Sequence, residues 1–110
     1  MDPHSVSRVS EDRLLVTNLN TQWGDCSEAT EVFLDAERGE ATILKSWTAD
    51  NCPVVYYLGN SERLDSGNTL VSWSSAGQLD ELDPEGNAVL RATLPTGGYF
   101  GYVQPVSSLY

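Results

Sequence analysis

The sequence predicts an all-β chain of two similar four-stranded antiparallel sheets followed by a closing C-terminal strand, and three observations lead there. Short runs rich in β-branched and apolar residues alternate with turn residues along the chain. No stretch carries a clear helical period, residues 27–38 coming nearest. The strand pattern also occurs twice: Arg8 falls on Arg63, Leu15 on Leu70 and Val16 on Val71, at a period of about 55 residues. Repeats of this length made of four short strands have the form of propeller blades.

The elements follow in order. In the first unit, residues 1–48, strands are expected at 5–9, 14–18, 29–34 and 41–47, punctuated by Glu11-Asp12, by a polar loop over 21–28 and by Arg38-Gly39. Asp50-Asn-Cys-Pro53 breaks the pattern before the second unit, residues 54–95, with strands at 55–64, 69–74, 78–82 and 88–94. Its turns, Asp65-Ser-Gly-Asn68, Ser75-Ala-Gly77 and Asp83-Pro-Glu-Gly86-Asn87, carry residues that tolerate or pre-set turn dihedrals. Phe33-Leu34-Asp35 parallels Glu81-Leu82-Asp83 at a shorter offset of about 48, the extra residues of the first unit lying mostly in its polar loop. Leu15, Val16, Leu34, Leu70, Val71 and Leu82 hold corresponding positions and are expected to be buried alike. A last strand at 99–106, within the closing segment 96–110, would present unpaired backbone groups, which predicts pairing with another chain.

Composition bounds the function. At 110 residues the chain makes one domain, and it has no apolar run of the roughly 18 residues that would span a bilayer. Met1-Asp-Pro-His-Ser5 does not open as a secretory signal does, so the chain is either cytoplasmic as written or the trimmed piece of something exported. Sixteen acidic against six basic residues give a net charge of -10, spread along the chain, which disfavours nucleic acid and reads as a solvated surface. Cys26 and Cys52 with His4 alone do not make a zinc site; they allow either a disulfide or two free thiols. Asp80, Asp83, Glu85 and Asn87 around Gly86 read as a hairpin turn rather than a calcium loop. No carboxylate pair, phosphate-binding glycine loop or nucleophile elbow marks a catalytic centre, and no cofactor or metal is expected. Trp47, Trp73, Tyr56, Tyr57, Tyr99 and Tyr102 are expected to pack between the units, with a stack for an aryl or carbohydrate ligand as the sharper alternative.

Several of these pieces together carry a resemblance. His4-Ser-Val-Ser-Arg-Val9, Glu31-Val-Phe-Leu-Asp35, Ala41-Thr-Ile-Leu-Lys-Ser-Trp47, Ser66-Gly-Asn-Thr-Leu-Val-Ser-Trp73, Gln78-Leu-Asp-Glu-Leu-Asp-Pro-Glu-Gly-Asn87 and the ending Gly101-Tyr-Val-Gln-Pro-Val-Ser-Ser-Leu-Tyr110 resemble the C-terminal blades of arylsulfotransferase-like β-propellers. Gly-Asn-Thr-Leu-Val and Leu-Asp-Pro-Glu-Gly-Asn are also similar to blades of quinoprotein-type and NHL-type propellers. The resemblance implies a ring of six blades and a channel histidine that accepts a sulfuryl group, with cations on the sulfate oxygens. On this chain it points to His4 as the catalytic position and to Arg8 and Arg63 as binders of a small anionic or aromatic ligand. A single histidine departs from that chemistry. The reading is therefore a non-catalytic assembly or ligand-binding module completed by homo-oligomerisation, a trimer preferred because three pairs of blades make six. Sulfuryl transfer by a complete ring and a free-standing β-sandwich are the alternatives, and no nucleic-acid or membrane partner is expected.

Overall fold

A computed structural model of the chain describes residues 2–19, 26–53, 55, 59–95 and 98–106. Among the described residues eight strands form: β1 (Asp2–Ser10), β2 (Arg13–Leu19), β3 (Glu28–Asp35), β4 (Glu40–Trp47), β5 (Asn60–Arg63), β6 (Thr69–Trp73), β7 (Gln78–Leu82) and β8 (Ala88–Thr93). They make two antiparallel four-stranded sheets in simple sequential order, β1-β2-β3-β4 and β5-β6-β7-β8. The nearest helix candidate, 27–38, is strand β3 and its turn, because β-branched Thr30 and Val32 suit a pleated surface better than a helix. The loop around Trp23 and the part of the expected strand 55–64 that carries Tyr56 and Tyr57 lie outside the described residues.

The ladders show how the units correspond. One row crosses the first sheet as Ser7, Leu15, Glu31 and Lys45, and its counterpart crosses the second as Glu62, Leu70, Glu81 and Leu90. Each sheet has a bulge at the same place: Leu44 is extra opposite Glu31 and Val32, and Val89 is extra opposite Glu81 and Leu82. Aligned on these rows and bulges, Arg8 takes the place of Arg63, Leu15 that of Leu70 and Val16 that of Val71. The same alignment matches Val32 rather than Leu34 with Leu82. The parallel drawn through the two Leu-Asp turns slips along the strand because the β3–β4 hairpin is longer than its counterpart.

The sheets stack face on face through non-equivalent faces. The first offers Leu15, Thr17, Ala29, Glu31 and Trp47, and the second Ser61, Val71, Trp73, Asp80 and Leu82, all buried. Leu15, Ala29, Trp47, Val71, Trp73 and Leu82 share one apolar core with Ala49 and Val55, and Val9 packs against it. Hydrogen bonds cross beside that core, from Ser7 Oγ to Ser61 O at 2.6 Å and between Thr17 Oγ1 and Ser61 Oγ at 2.9 Å. Because Leu15 corresponds to Leu70, the inward face of the first sheet is equivalent to the outward face of the second. The stack runs head to tail.

Equal burial at matched positions therefore does not hold. Leu15, Val71 and Leu82 are completely buried, while Val16, Leu34 and Leu70 are half-buried. Matched residues point the same way round the stack, so one of each pair meets the other sheet and its match looks outward.

The connection between the sheets is pinned at one end. Cys26 and Cys52 form a disulfide with their Cα atoms 5.0 Å apart, resolving the two sequence alternatives. Beside it Ser27 N donates to Pro53 O at 3.2 Å, Val55 N donates to Ser27 Oγ at 3.1 Å, and Thr48 Oγ1 donates to Ser27 O at 2.8 Å. Gly77 follows a short 3-10 turn at Ser74–Ala76 with a φ of 67°. A Cβ there would lie 2.7 Å from Gly98 O, so both backbone shape and the close approach require glycine.

The expected closing strand is not a strand. Residues 98–106 form no ladder and instead lie on the outward face of the second sheet, held largely by side chains; 96, 97 and 107–110 lie outside the described residues. Asn60 grips Val103 with both amide groups, at 2.6 Å to its O and 3.0 Å from its N. Ser72 Oγ donates to Gly101 O at 3.3 Å, Ser74 Oγ donates to Phe100 O, and Tyr102 OH donates to Glu62 at 2.7 Å. Pro105 has no N–H to give a ladder and Gly98 and Gly101 have no side chain to pack, which disfavours pairing.

Leu15→Ala is expected to cost about 2 to 5 kcal/mol in denaturant unfolding, as a buried large-to-small change. Leu70→Ala, at the matched but half-buried position, should cost clearly less. Both costs are read on single chains, at concentrations below association, where equal costs would contradict the head-to-tail arrangement.

Candidate functional site

The sequence-predicted site residues do not converge. His4 is the extra residue of a β1 bulge, since Pro3 pairs with Asn18 and Ser5 with Thr17; its side chain lies outside the described residues. Arg8 is exposed and donates from Nη1 to Glu11 O at 3.1 Å. It lines a shallow cleft of about 640 Å³ with Ser10, Glu11, Asp12, Phe33 and Asp35, whose carboxylates oppose an anionic ligand. Arg63 lines a different cleft, of about 380 Å³, with Asp65, Pro105 and Val106.

Arg63 is chiefly committed to the junction between the sheets. Its Nη2 lies 2.6 Å from Oε1 of Glu31, a residue only 7% exposed, and Arg13 approaches the other carboxylate oxygen at 3.8 Å. The guanidinium also stands 5.8 Å from the centroid of the Trp47 ring, and Lys45 Nζ stands 5.7 Å from the same centroid. Arg63 Nε is buried without an acceptor, so carboxylate and ring together hold the group. Trp47 Nε1 donates to Pro84 O at 3.4 Å, and Lys45 Nζ donates to the same oxygen. Gly86, with a φ of 92°, lets the ring in: a Cβ there would sit 2.8 Å from Trp47 Cδ1. Trp47 and Trp73 pack between the sheets as expected, whereas Tyr99 and Tyr102 are exposed on the C-terminal segment.

A second polar centre was not legible as such in the sequence. Asp80 is fully buried on β7 and accepts from Trp73 Nε1 at 3.0 Å, Gln78 Nε2 at 2.9 Å and Arg91 Nε at 2.7 Å. Arg91 also reaches exposed Asp50 at 2.6 Å, and Asn51 bonds the Gln78 amide at 2.6 Å. Hydrogen bonds that Arg91 donates to Asp80 and then to Asp50 hold it more firmly protonated than an ordinary arginine. The Asp50 carboxyl is drawn below its ordinary value by the hydrogen bond and charge of Arg91. The sequence groups Asp80 with Asp83, Glu85 and Asn87 as turn chemistry, and this holds for Asp83, whose Oδ1 accepts from Glu85 N at 3.0 Å and Asn87 N at 2.8 Å. Those bonds, Asn87 first, lower the Asp83 pKa. The strand period was the available signal, since Asp80 alternates with outward Leu79 and Glu81 on a strand whose other inward residues are buried.

This chemistry is structural. Among the described residues buried Glu31 is met by Arg63 and Arg13 and buried Asp80 by Arg91, Trp73 and Gln78, and no group of three or more histidine, cysteine or acidic side chains could hold a metal ion. No helix among them is long and apolar enough to cross a membrane. Comparison with known proteins gives no matching family model, no matching curated protein and no matching solved structure.

Asp80→Ala should destabilise the fold by about 3 kcal/mol or more, because it leaves Arg91 and the Trp73 N–H without their buried acceptor; urea unfolding reads this directly. Asp50 and Asp83 titrate below the ordinary aspartate value of 3.8, so their contribution is present above that value and is lost as pH falls through the lowered one. Thermal melts should therefore drop on acidification below about pH 4. A melt unchanged down to about pH 2 would contradict both contacts.

Proposed function

We propose that this chain is a non-catalytic assembly module of β-propeller type: two blade-like units that complete a closed ring by associating with further copies. The observation that carries this reading is the head-to-tail stack. A stack that joins unlike faces leaves one face of each kind free at its ends, and such a contact repeats until it closes or extends. A two-fold sandwich would join like faces and stop. The apolar side chains on the outward face of the first sheet, Val6 and Ile43 at 61% and 68% exposed, support the same reading. A trimer is the preferred state, since three pairs of units match the six blades that the arylsulfotransferase-like resemblance implies.

Binding, rather than turnover, fits the polar groups. Among the described residues both buried carboxylates, Glu31 and Asp80, are met by arginines, and Arg63, one of the two cations proposed for an anionic ligand, is engaged by Glu31. The ring reading assigns any ligand to the space enclosed by the assembly, lined by the first strands of each unit.

Light scattering on the full chain at micromolar concentration should give a closed oligomer, three chains preferred; a strictly monomeric species would overturn the proposal. Incubation with an aryl sulfate should leave His4 unmodified. A mass increase of one sulfuryl group on His4, absent in His4→Ala, would replace the module reading with sulfuryl transfer.

A further inference from the structure

We propose that the outward face of the first sheet docks onto the outward face of the second sheet of another copy of this chain, with Arg8 of one copy paired to Glu81 of the next. The inference rests on the assembly reading and names its interface. It follows from the junction already present within one chain. There Glu31, on the inward face of the first sheet, takes Arg13 from its own sheet and Arg63 from the sheet beyond. The ladder correspondence carries Glu31 to Glu81 and Arg13 to Asn68. Asn68 Nδ2 does donate to Glu81 Oε2, at 2.7 Å, reproducing the partner from the same sheet. The partner from the sheet beyond would be the counterpart of Arg63, and that counterpart is Arg8.

The rest of the two faces corresponds in the same way. Val16 and Val32 on the outward face of the first sheet stand where Val71 and Leu82 stand in the second, and those two are fully buried against the neighbouring sheet. Leu70, Leu79 and Leu90 on the other outward face stand where Leu15, Ala29 and Lys45 line the junction. The partner is thus a second copy, because the two free faces are each other's complements by the repeat. Charge agrees, with the exposed cation on one face and the carboxylate on the other.

Residues 98–106 occupy part of the receiving face. Glu62 and Ser72, the counterparts of Ser7 and Thr17 that meet Ser61 within the chain, here hold Tyr102 and Gly101. Docking and this segment use the same side chains, so association moves the segment off β5 and β6.

The test is a charge exchange followed by sedimentation velocity on the full chain. Arg8→Glu and Glu81→Arg should each lower the assembled mass to that of one chain, with unchanged circular dichroism. The double variant Arg8→Glu/Glu81→Arg should restore the assembly. An assembled wild type whose mass neither single variant alters would overturn this interface and leave the module reading standing. A wild type that is monomeric at every concentration would overturn both. Should both single variants fail to fold, Arg8→Gln and Glu81→Gln, which keep size and remove charge, give the same reading: a mass equal to wild type overturns the pairing, and a mass reduced to one chain supports it.

Discussion

Glu31 is a carboxylate enclosed between two β-sheets, and the cation nearest it, Arg63, comes from the facing sheet. The position of the second sheet depends on that pair. An uncompensated charge at this site would cost several kcal/mol, more than a domain of this size can lose comfortably. The pair does not by itself make the fold more stable than an apolar contact would. What it does is select: a slip along the stack would strand Glu31 away from the guanidinium, whereas a slip between purely apolar faces would cost less. Trp47 extends the selection by setting its ring against the same guanidinium and against the turn at Gly86, so cation, ring and turn lock one register.

Asp80 performs the corresponding task inside the second sheet. Its oxygens are shared by donors from β6, β7 and β8, and Arg91 carries the network outward to Asp50 in the segment joining the sheets. The Cys26–Cys52 bridge closes the polar loop of the first sheet onto that same segment. A cross-link here limits the freedom of the unfolded chain as well as holding the folded one, and such bridges persist in oxidising surroundings. Ion pair, buried aspartate and disulfide thus constrain the geometry between the sheets at three separated places.

The direction of the stack follows from the same contacts. Two similar sheets could have met through like faces and satisfied their apolar residues in a closed pair. Here Ser61 and Arg63 meet Thr17 and Glu31, so the two sheets meet through unlike faces. The residues left outward, apolar on the first sheet and partly covered by residues 98–106 on the second, follow from that choice.

The sequence by itself determined the all-β class and the two four-stranded antiparallel sheets. Alternation, turn residues and a repeat period are local or periodic properties, and they survive in one dimension. Tertiary structure alone decided which face of each sheet is buried, because burial depends on which neighbour a face meets. It decided the roles of Arg63 and Asp80 for the same reason: a side chain read as a ligand contact or a turn residue becomes a structural ion when its partner arrives from another strand. It also showed residues 98–106 as a segment held largely by side chains in place of a closing strand, since apolar and aromatic runs do not reveal whether a ladder edge or a side-chain cap is nearer. The pairing of Cys26 with Cys52 was open in the sequence, and only the fold brings their Cα atoms within 5.0 Å.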